Sequence, residues 1–371
     1  MKSVLKVYDV VLTVHGPLFI GSGQDIKKKE YIYDKRRRKI MIPKLEKMYS
    51  DLCKMGKQRE YERYMLTDNR TGLGEWLEQQ RVPESYLKAW KAYELDCGDY
   101  VGERGKTLEV RSCVKDAYGN PYIPGSSLKG MIRTCLLAYD IRKNPEKYKS
   151  EKQNIQASIL KNEKVRRNSY LIKEEKAIEE VAFHKLGRTE KRYEMVNDYM
   201  SGVIISDSAP LSVDDLVLCQ KVEEHTDGVE KRLNLLRECV KPDTVVHFQM
   251  TLDMGICKTS AEEILKAIAE FSNNYYQLFS GKFPHVDRPA ENVVWLGGGA
   301  GYVSKTVVYA LFGKEGVQLI PQIYRKTGVP ENHKHDQDAK KGVSPHILKL
   351  TQYQGKRYQF GECTFELKEI I

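Results

Sequence analysis

The segment from Asn120 to Arg133 contains residue types that bind anions. It reads NPYIPGSSLKGMIR, in which a Pro-Gly turn precedes apolar residues at helical spacing. We predict that Ser126 or Ser127 caps this helix and that Lys129 and Arg133 lie one helical turn apart. Free amides at a positive helix end, two hydroxyls and two cations suit a phosphodiester backbone. An ordinary capped helix with solvated basic side chains is an equally good interpretation.

A second candidate site is the glycine-rich segment from Leu296 to Thr306, which reads LGGGAGYVSKT. Its glycines permit positive φ angles and a close approach of the backbone to a ligand, and successive amides can form an anion nest. The spacing fits neither a Walker A motif nor a Rossmann fingerprint. A tight structural turn between a strand and a helix is the alternative. The candidate nucleic-acid-binding residues, among which Tyr302 could stack on a base, are Gly297, Gly298, Gly299, Gly301, Tyr302 and Lys305.

The strongest concentration of charge lies between Lys27 and Lys39, which reads KKKEYIYDKRRRK and has eight basic residues against two acidic ones. Clustered cations with interleaved tyrosines, Tyr31 and Tyr33, suit a nucleic-acid chain with exposed bases. The alternative is a solvated hairpin, since strand-like triplets flank the charged turn. The candidate nucleic-acid-binding residues here are Lys27, Lys28, Lys29, Arg36 and Arg37.

Signals for catalysis and metal binding are weak. His333 and His335, with Asp336 and Asp338, could bind a metal, but in a polar segment rich in lysine they are expected to be solvated. His15 follows the first predicted strand and could act as a general base, although a lone histidine is more often structural. No catalytic residue, metal or cofactor is therefore predicted.

Composition limits the class of protein. The 371 residues carry a net charge of +10, with 41% hydrophobic and 30% charged residues, which is enough apolar matter for a folded core. No apolar run approaches the ~18 residues of a membrane helix, and no signal peptide is recognisable, so a cytoplasmic protein is expected. The eight cysteines form no C-x-x-C pair, which favours reduced thiols over a zinc ribbon.

The predicted elements interleave and favour an α+β fold with antiparallel sheets. Residues 4–14 form a strand, and residues 44–96 form a helical insertion. The polar block at 142–192 is either a mobile insertion or a surface that becomes ordered on a partner. A capping box from Ser260 to Glu263 begins a later helix.

The order of these motifs resembles the RAMP superfamily of CRISPR-associated proteins. The motifs concerned are Gly21 and Gly23 after the first strand, the PYIPGSSLKG segment, Ile205-Ser206-Asp207-Ser208 and the late glycine-rich loop. Within the superfamily, the whole chain is most similar to the fifth Csm subunits of type III-A effector complexes. The resemblance implies a ferredoxin-like (RRM-like) core over residues 1–200 and a second, related C-terminal region over 201–371.

The resemblance also implies a function. Such a subunit binds the guide RNA (crRNA), caps its 3′ portion, and supports its 3′-end maturation in antiviral defence. It contacts a neighbouring Csm backbone subunit and a small subunit, and target RNA is a further candidate partner. Cellular nucleases would trim the RNA. Related backbone subunits cut target RNA with an aspartate after the first strand, but Asp25 lies in a strongly basic and different context, so we expect it not to be catalytic.

Two other functions stay open from the sequence. One is a metal-independent crRNA-processing endoribonuclease of the same superfamily, with His15 as the acid–base residue. The other is a protein–protein scaffold whose basic surface contacts acidic neighbours.

Overall fold

The computed structural model describes residues 4–67, 71–102, 109–161, 165–166 and 169–370. The chain is a mixed α+β protein, as predicted. The strands are β1 (Leu5–Val14), β2 (Gly21–Ile26), β3 (Ile32–Asp34), β4 (Lys39–Pro43), β5 (Lys91–Cys97), β6 (Val110–Cys113), β7 (Val203–Ile205), β8 (Leu216–His225), β9 (Glu230–Val240), β10 (Val245–Asp253), β11 (Val293–Trp295), β12 (Ile347–Tyr353), β13 (Lys356–Gln359) and β14 (Glu362–Glu369). The α-helices are α1 (Leu45–Lys54), α2 (Gln58–Leu66), α3 (Leu73–Gln79), α4 (Glu84–Trp90), α5 (Gly125–Lys143), α6 (Lys149–Leu160), α7 (Ile172–Phe183), α8 (Ala261–Leu278), α9 (Val308–Phe312), α10 (Gly316–Lys326) and α11 (Asp338–Lys341).

The first sheet has the strand order β11-β14-β1-β10-β7, and all of its pairings are antiparallel. Strand β1 is central because its alternate side chains Val10, Leu12 and Val14 are fully buried. Helices α5 and α8 pack against each other and against this sheet. The predicted strand at 4–14 is therefore confirmed, and it organises the main core.

The second sheet has the order β2-β6-β9-β8-β5-β4-β3, with β12 and β13 attached through β8. Most pairings are antiparallel, but β5 with β8 and β6 with β9 are parallel. Strands from both sides of residue 200 are present in both sheets. The predicted division at residue 200 therefore does not separate the sheets, and it stays a prediction about related regions.

The predicted helical insertion at 44–96 is correct only as far as Trp90. Helices α1 to α4 enclose a small core of their own that includes Met48, Leu52 and Trp76, and the indole Nε1 of Trp90 donates to the buried carboxylate of Asp51 at 2.9 Å. The following residues form β5 instead of helix. Their alternate side chains Leu95 and Cys97 are buried where β5 lies between β4 and β8.

The polar block at 142–192 contains helices α6 and α7. Their few apolar residues, among them Ile155, Ile159, Ile178 and Phe183, are buried in the main core. The described part of this block is therefore ordered by packing within the chain.

All eight cysteines are free thiols, as predicted. Within the described ranges, no helix combines the length and the apolar character that crossing a membrane requires.

Candidate nucleic-acid interface

The start of α5 is capped by a residue that is distant in sequence. The helix begins at Gly125, its N-cap position is Pro124, and no side-chain cap is formed by Ser126 or Ser127, so the predicted serine cap is wrong. Instead, the Gly125 amide donates to Asp207 Oδ1 at 2.8 Å. A carboxylate at the positive end of a helix is stabilising, and here it occupies part of the predicted anion cradle.

Two of the motifs that indicated the family are thus parts of one structural unit. The Ile123 amide donates to Ser208 Oγ at 3.0 Å, and the Ser208 amide donates back to the Ile123 carbonyl at 3.0 Å. A side chain at Gly125 would place its Cβ 2.3 Å from the Ser206 carbonyl oxygen. The motif glycine therefore permits the segment after β7 to lie directly against the first turn of α5.

The two cations of α5 have different environments. The Arg133 guanidinium donates to Asp198 at 2.7 Å and to Glu179 at 2.8 Å, and it stacks over the Phe183 ring. Lys129 is half-buried, and its ammonium forms no hydrogen bond or ion pair with the residues that the structure describes; burial lowers its pKa. We therefore assign Arg133 a structural role in holding α7 on α5 and keep Lys129 as a candidate RNA contact.

An Arg133→Met variant is expected to lose about 3 kcal/mol of unfolding free energy, because the buried Asp198 carboxylate would lose its ion-pair partner. Urea denaturation measures this loss. Its affinity for RNA per folded molecule should be unchanged. Lys129→Met is the matched control on the same helix, and it should keep the stability and weaken RNA binding. Weaker RNA binding by Arg133→Met at unchanged stability, or a loss of stability in Lys129→Met at unchanged RNA binding, would contradict these assignments.

The glycine-rich loop is shaped first by packing. Gly297, Gly299 and Gly301 have φ angles of +77°, +102° and +98°. The Gly298 amide donates to the Phe19 carbonyl at 2.6 Å, and a Cβ at Gly297 would lie 2.3 Å from the same oxygen. The turn interpretation therefore explains these two glycines. Tyr302 packs edge-on against Tyr324, with ring centroids 5.3 Å apart, so its ring contacts protein in the free chain.

The structure brings the two predicted sites together. The first turns of α5 and the glycine-rich loop line a common groove, which we call the α5–loop groove. The groove contains the exposed side chain of Lys305, whose ammonium has no hydrogen-bond or ion-pair partner among the described residues. Partial desolvation and the positive charge of nearby Arg237 lower its pKa. The lining residues are Ser127, Gly130, Met131, Thr134, Trp295, Leu296, Gly297, Ser304 and Lys305.

Two residues with buried, unpartnered donor atoms near the glycine-rich loop were missed by the sequence analysis. Trp295 lines the groove, and its indole Nε1 is buried without a hydrogen-bond partner in the described part of the chain. On the other side of the loop, Arg237 of β9 is only 5% exposed, and its Nε and Nη1 also have no partner there. Buried donors without partners are costly, so these three nitrogen atoms are candidates for binding an acceptor on a ligand.

Arg237 lies directly below the loop. Its guanidinium lies between the rings of Phe19 and Phe360, 5.3 and 5.4 Å from their centroids, and a Cβ at Gly299 would be 3.1 Å from Nη1. Glycine at position 299 thus keeps the guanidinium close to the backbone of the loop. The neighbouring strand residue in register, Arg111, is exposed and adds further positive charge.

The basic hairpin has the predicted strands but not the predicted stacking surface. Strands β3 and β4 pair with Ile32 opposite Met41. Tyr31 is 3% exposed and Tyr33 is half-buried, so the interleaved rings belong to the protein interior and the expectation that they stack on bases is not supported. The alternative of a folded hairpin with a charged turn describes this segment better.

Most cations of the hairpin already have protein partners. Lys27 pairs with Glu109 at 2.8 Å, and Arg37 pairs with Asp34 at 2.6 Å. Lys29 donates to three carbonyls at the end of α2. Lys28 is half-buried, whereas the Arg36 side chain is exposed at the tip. The hairpin is therefore a weaker candidate for RNA contact than the α5–loop groove.

Lys29→Met is expected to destabilise the protein by about 1–2 kcal/mol without changing its affinity for RNA. The ammonium lies 2.6 Å from the Tyr64 and Thr67 carbonyls and over the Tyr64 ring, so it closes the C-terminal end of α2. Thermal unfolding measures the effect. Lys35→Met, in the exposed turn of the same hairpin, is the control and should unfold like the unmodified protein.

The histidine-rich segment was predicted to be solvated, but part of it is buried. Asp338 is fully buried and accepts hydrogen bonds from His335 and from His346, a residue outside the predicted set. His333 is only partly exposed beside them.

The other candidate histidine, His15, is exposed and contacts the Thr364 hydroxyl through Nε2. Asp25 is exposed on β2 opposite Arg111.

The chain is similar to known proteins over nearly its full length. The chain is 27% identical to the Csm5 protein of Mycobacterium tuberculosis over 99% of both chains, and 28% identical to that of Enterococcus italicus over 98% of both. Its fold matches a chain in a cryo-EM structure of a Csm–crRNA–target RNA ternary complex, with a TM-score of 0.64, 18% identity and coverage of 97% of this chain and 100% of the other. It also matches the crystal structure of T. onnurineus Csm5, with a TM-score of 0.58, 17% identity and coverage of 95% and 99%.

The model of the RAMP superfamily matches residues 11–304. This range includes the C-terminal part of the central strand β1, the helix start with its Asp207 cap, and the glycine-rich loop as far as Ser304. It therefore contains every residue that lines the α5–loop groove except Lys305. The chain belongs to the RAMP superfamily.

Proposed function

We propose that this chain is a non-catalytic, RNA-binding subunit of a type III-A Csm effector complex in the cytoplasm. It caps the 3′ portion of the crRNA and supports 3′-end maturation. Full-length similarity to proteins named Csm5 supports the assignment to such a complex. The similar fold of a chain in a particle that contains crRNA and target RNA supports an RNA-bound role.

The observation that carries the RNA-binding role is the set of unpartnered donors around the glycine-rich loop. Lys305, Trp295 Nε1 and Arg237 offer positive charge and hydrogen bonds on both sides of one loop. A sugar–phosphate backbone supplies acceptors at regular intervals, and it needs no base-specific reading because the guide pairs with its target. Ser126, Ser127 and Lys129 would extend the contact along α5.

A ferredoxin-like core fits this role. In the first sheet the order β14-β1-β10-β7, with α5 between β1 and β7 and α8 between β10 and β14, corresponds to a β-α-β-β-α-β unit. We propose that this unit is the RRM-like core implied by the family. Three of its strands, β7, β10 and β14, lie beyond residue 200, so the proposed core extends past the predicted range 1–200. A second, related C-terminal region stays a prediction.

The remaining partners are proposed from the family. A neighbouring Csm backbone subunit and a small subunit would flank the chain, with the crRNA passing between them and target RNA paired to it. Cellular nucleases would trim the exposed 3′ end, and the cap would fix where trimming stops.

Reconstitution of the complex tests the proposal. The other Csm subunits and precursor crRNA are combined with the full chain, with an Arg237→Met, Lys305→Ala variant, or with no added chain, and are then treated with a 3′ exonuclease. We expect a defined 3′ end only with the unmodified chain, and heterogeneous ends without it. Identical crRNA lengths in all three samples would contradict the capping role.

A cleavage assay separates the proposal from the endoribonuclease alternative. The purified chain is incubated with repeat RNA in EDTA and in Mg²⁺, and we expect no cleavage in either. Cleavage in EDTA that is lost in His15→Ala would favour the processing enzyme. Absence of single-stranded RNA binding by the chain, alone and within the complex, would favour the scaffold.

A further inference from the structure

Four of the eight histidines of the chain converge at one place. His225 ends β8, His333 and His335 lie between α10 and α11, and His346 precedes β12. Their rings form a row, with centroids 5.2 Å apart for His225 and His346, 5.3 Å for His335 and His346, and 5.9 Å for His333 and His335. A single buried carboxylate needs fewer imidazoles than this to satisfy its hydrogen bonds.

The row surrounds Asp338. Its carboxylate is fully buried, with Oδ2 3.2 Å from His335 Nδ1 and Oδ1 in contact with His346 Nδ1. The Ser344 hydroxyl also donates to Oδ2, so three side chains converge on this one buried carboxylate.

We propose that His335, Asp338 and His346 bind one divalent transition-metal ion, with Zn²⁺ as the best fit. One ligand atom from each residue lies within 4.8 Å of the other two, so modest closure brings them to the separation of tetrahedral ligands. Two imidazoles and a carboxylate suit Zn²⁺, whereas Mg²⁺ prefers an all-oxygen octahedral set. A water molecule or a further histidine would complete the coordination.

The position of the site indicates a structural ion. All three ligands lie in the connection between α10 and β12, and His346 directly precedes Ile347, which pairs with His225 of β8. A small pocket lined by His333, His335 and Glu223 lies beside the site, and Gly301 and Tyr302 of the glycine-rich loop line the same pocket. None of the three ligands lines the α5–loop groove, and the inference does not depend on the proposed RNA binding.

Zinc binding by the untagged, full-length protein tests this inference. The protein is stripped with a chelator and titrated with ZnCl₂ against a chromophoric competitor, with MgCl₂ as a second titrant. We expect one Zn²⁺ per chain and no response to Mg²⁺. His335→Gln should bind Zn²⁺ at least about tenfold more weakly. His247→Gln, at an exposed histidine beside Asp9, is the matched control and should bind like the unmodified protein.

Two outcomes would overturn the inference. Either the unmodified protein takes up no zinc against the competitor, or His335→Gln binds as tightly as the control. Circular dichroism checks that the variant is folded. A measurement independent of any variant is the visible spectrum of the protein with Co²⁺, where bands of a tetrahedral ion are expected and the spectrum of free Co²⁺ would overturn the inference.

Discussion

An Arg237→Met variant is expected to be more stable than the unmodified protein and to bind single-stranded RNA about tenfold more weakly. The guanidinium is buried with two unpartnered nitrogens, so replacing it with an apolar side chain of similar length removes a desolvation cost, roughly 1–3 kcal/mol. The same replacement removes a cation from the RNA backbone. Urea denaturation and filter binding over a range of salt concentrations measure the two effects.

The opposite directions of the two effects make this prediction specific. A purely structural arginine would lose stability on replacement and leave RNA binding unchanged. Loss of one phosphate contact should also reduce the slope of log affinity against log salt by about 0.7. Arg237→Lys is the control, and it should keep the slope. A destabilised Arg237→Met variant with normal affinity and slope would contradict the assignment.

Gly125→Ala is expected to have the largest effect on stability, a loss of roughly 3–5 kcal/mol. The added Cβ would lie 2.3 Å from the Ser206 carbonyl oxygen and 2.5 Å from that of Ile205. Both are backbone atoms that cannot move without displacing β7 or α5, so the cost resembles severe overpacking. RNA binding should fall as well, because α5 forms one wall of the groove. Chemical denaturation and filter binding measure both effects.

Gly130→Ala is the matched substitution on the same helix. A Cβ there would meet nothing within 4 Å, so helix propensity alone should stabilise the protein by up to about 1 kcal/mol. Gly130 lines the groove, and weaker RNA binding by this more stable variant would indicate that the RNA backbone passes close to it. Equal destabilisation by the two alanines would contradict the clash at Gly125.

Local patterns were sufficient to predict several elements of the fold. Strand β1 was predictable from its alternation, and the start of helix α8 from the capping-box pattern of Ser260 and Glu263. The structure has one half of that box, in which Ser260 Oγ accepts from the Glu263 amide at 3.3 Å, while the Glu263 carboxylate accepts from the Thr259 hydroxyl. The error at 91–96 arose because β5 follows four helices without a turn residue. Its strand conformation depends on pairing with β4 and β8.

For the candidate RNA site, the sequence predicted which segments are involved but not how their side chains are arranged. The sequence indicated the α5 start and the glycine-rich loop, but their common groove results from tertiary packing. Arg133 was predicted to contact RNA, with solvent as the alternative, because nothing in the local sequence indicates its ion pair with Asp198, 65 residues away. Arg237 resembled an ordinary charged residue of a strand, since only the fold determines that it is buried and that no acceptor reaches its Nε or Nη1.

Mapping of RNA–protein crosslinks in the reconstituted complex tests the central claim most directly. Guide RNA with photoreactive uridines near its 3′ end is irradiated in the assembled particle, and the crosslinked peptides of this chain are identified by mass spectrometry. We predict crosslinks within residues 125–134 and 296–306, on the two walls of the α5–loop groove. Crosslinks confined to other surfaces, with both segments unmodified, would contradict the account.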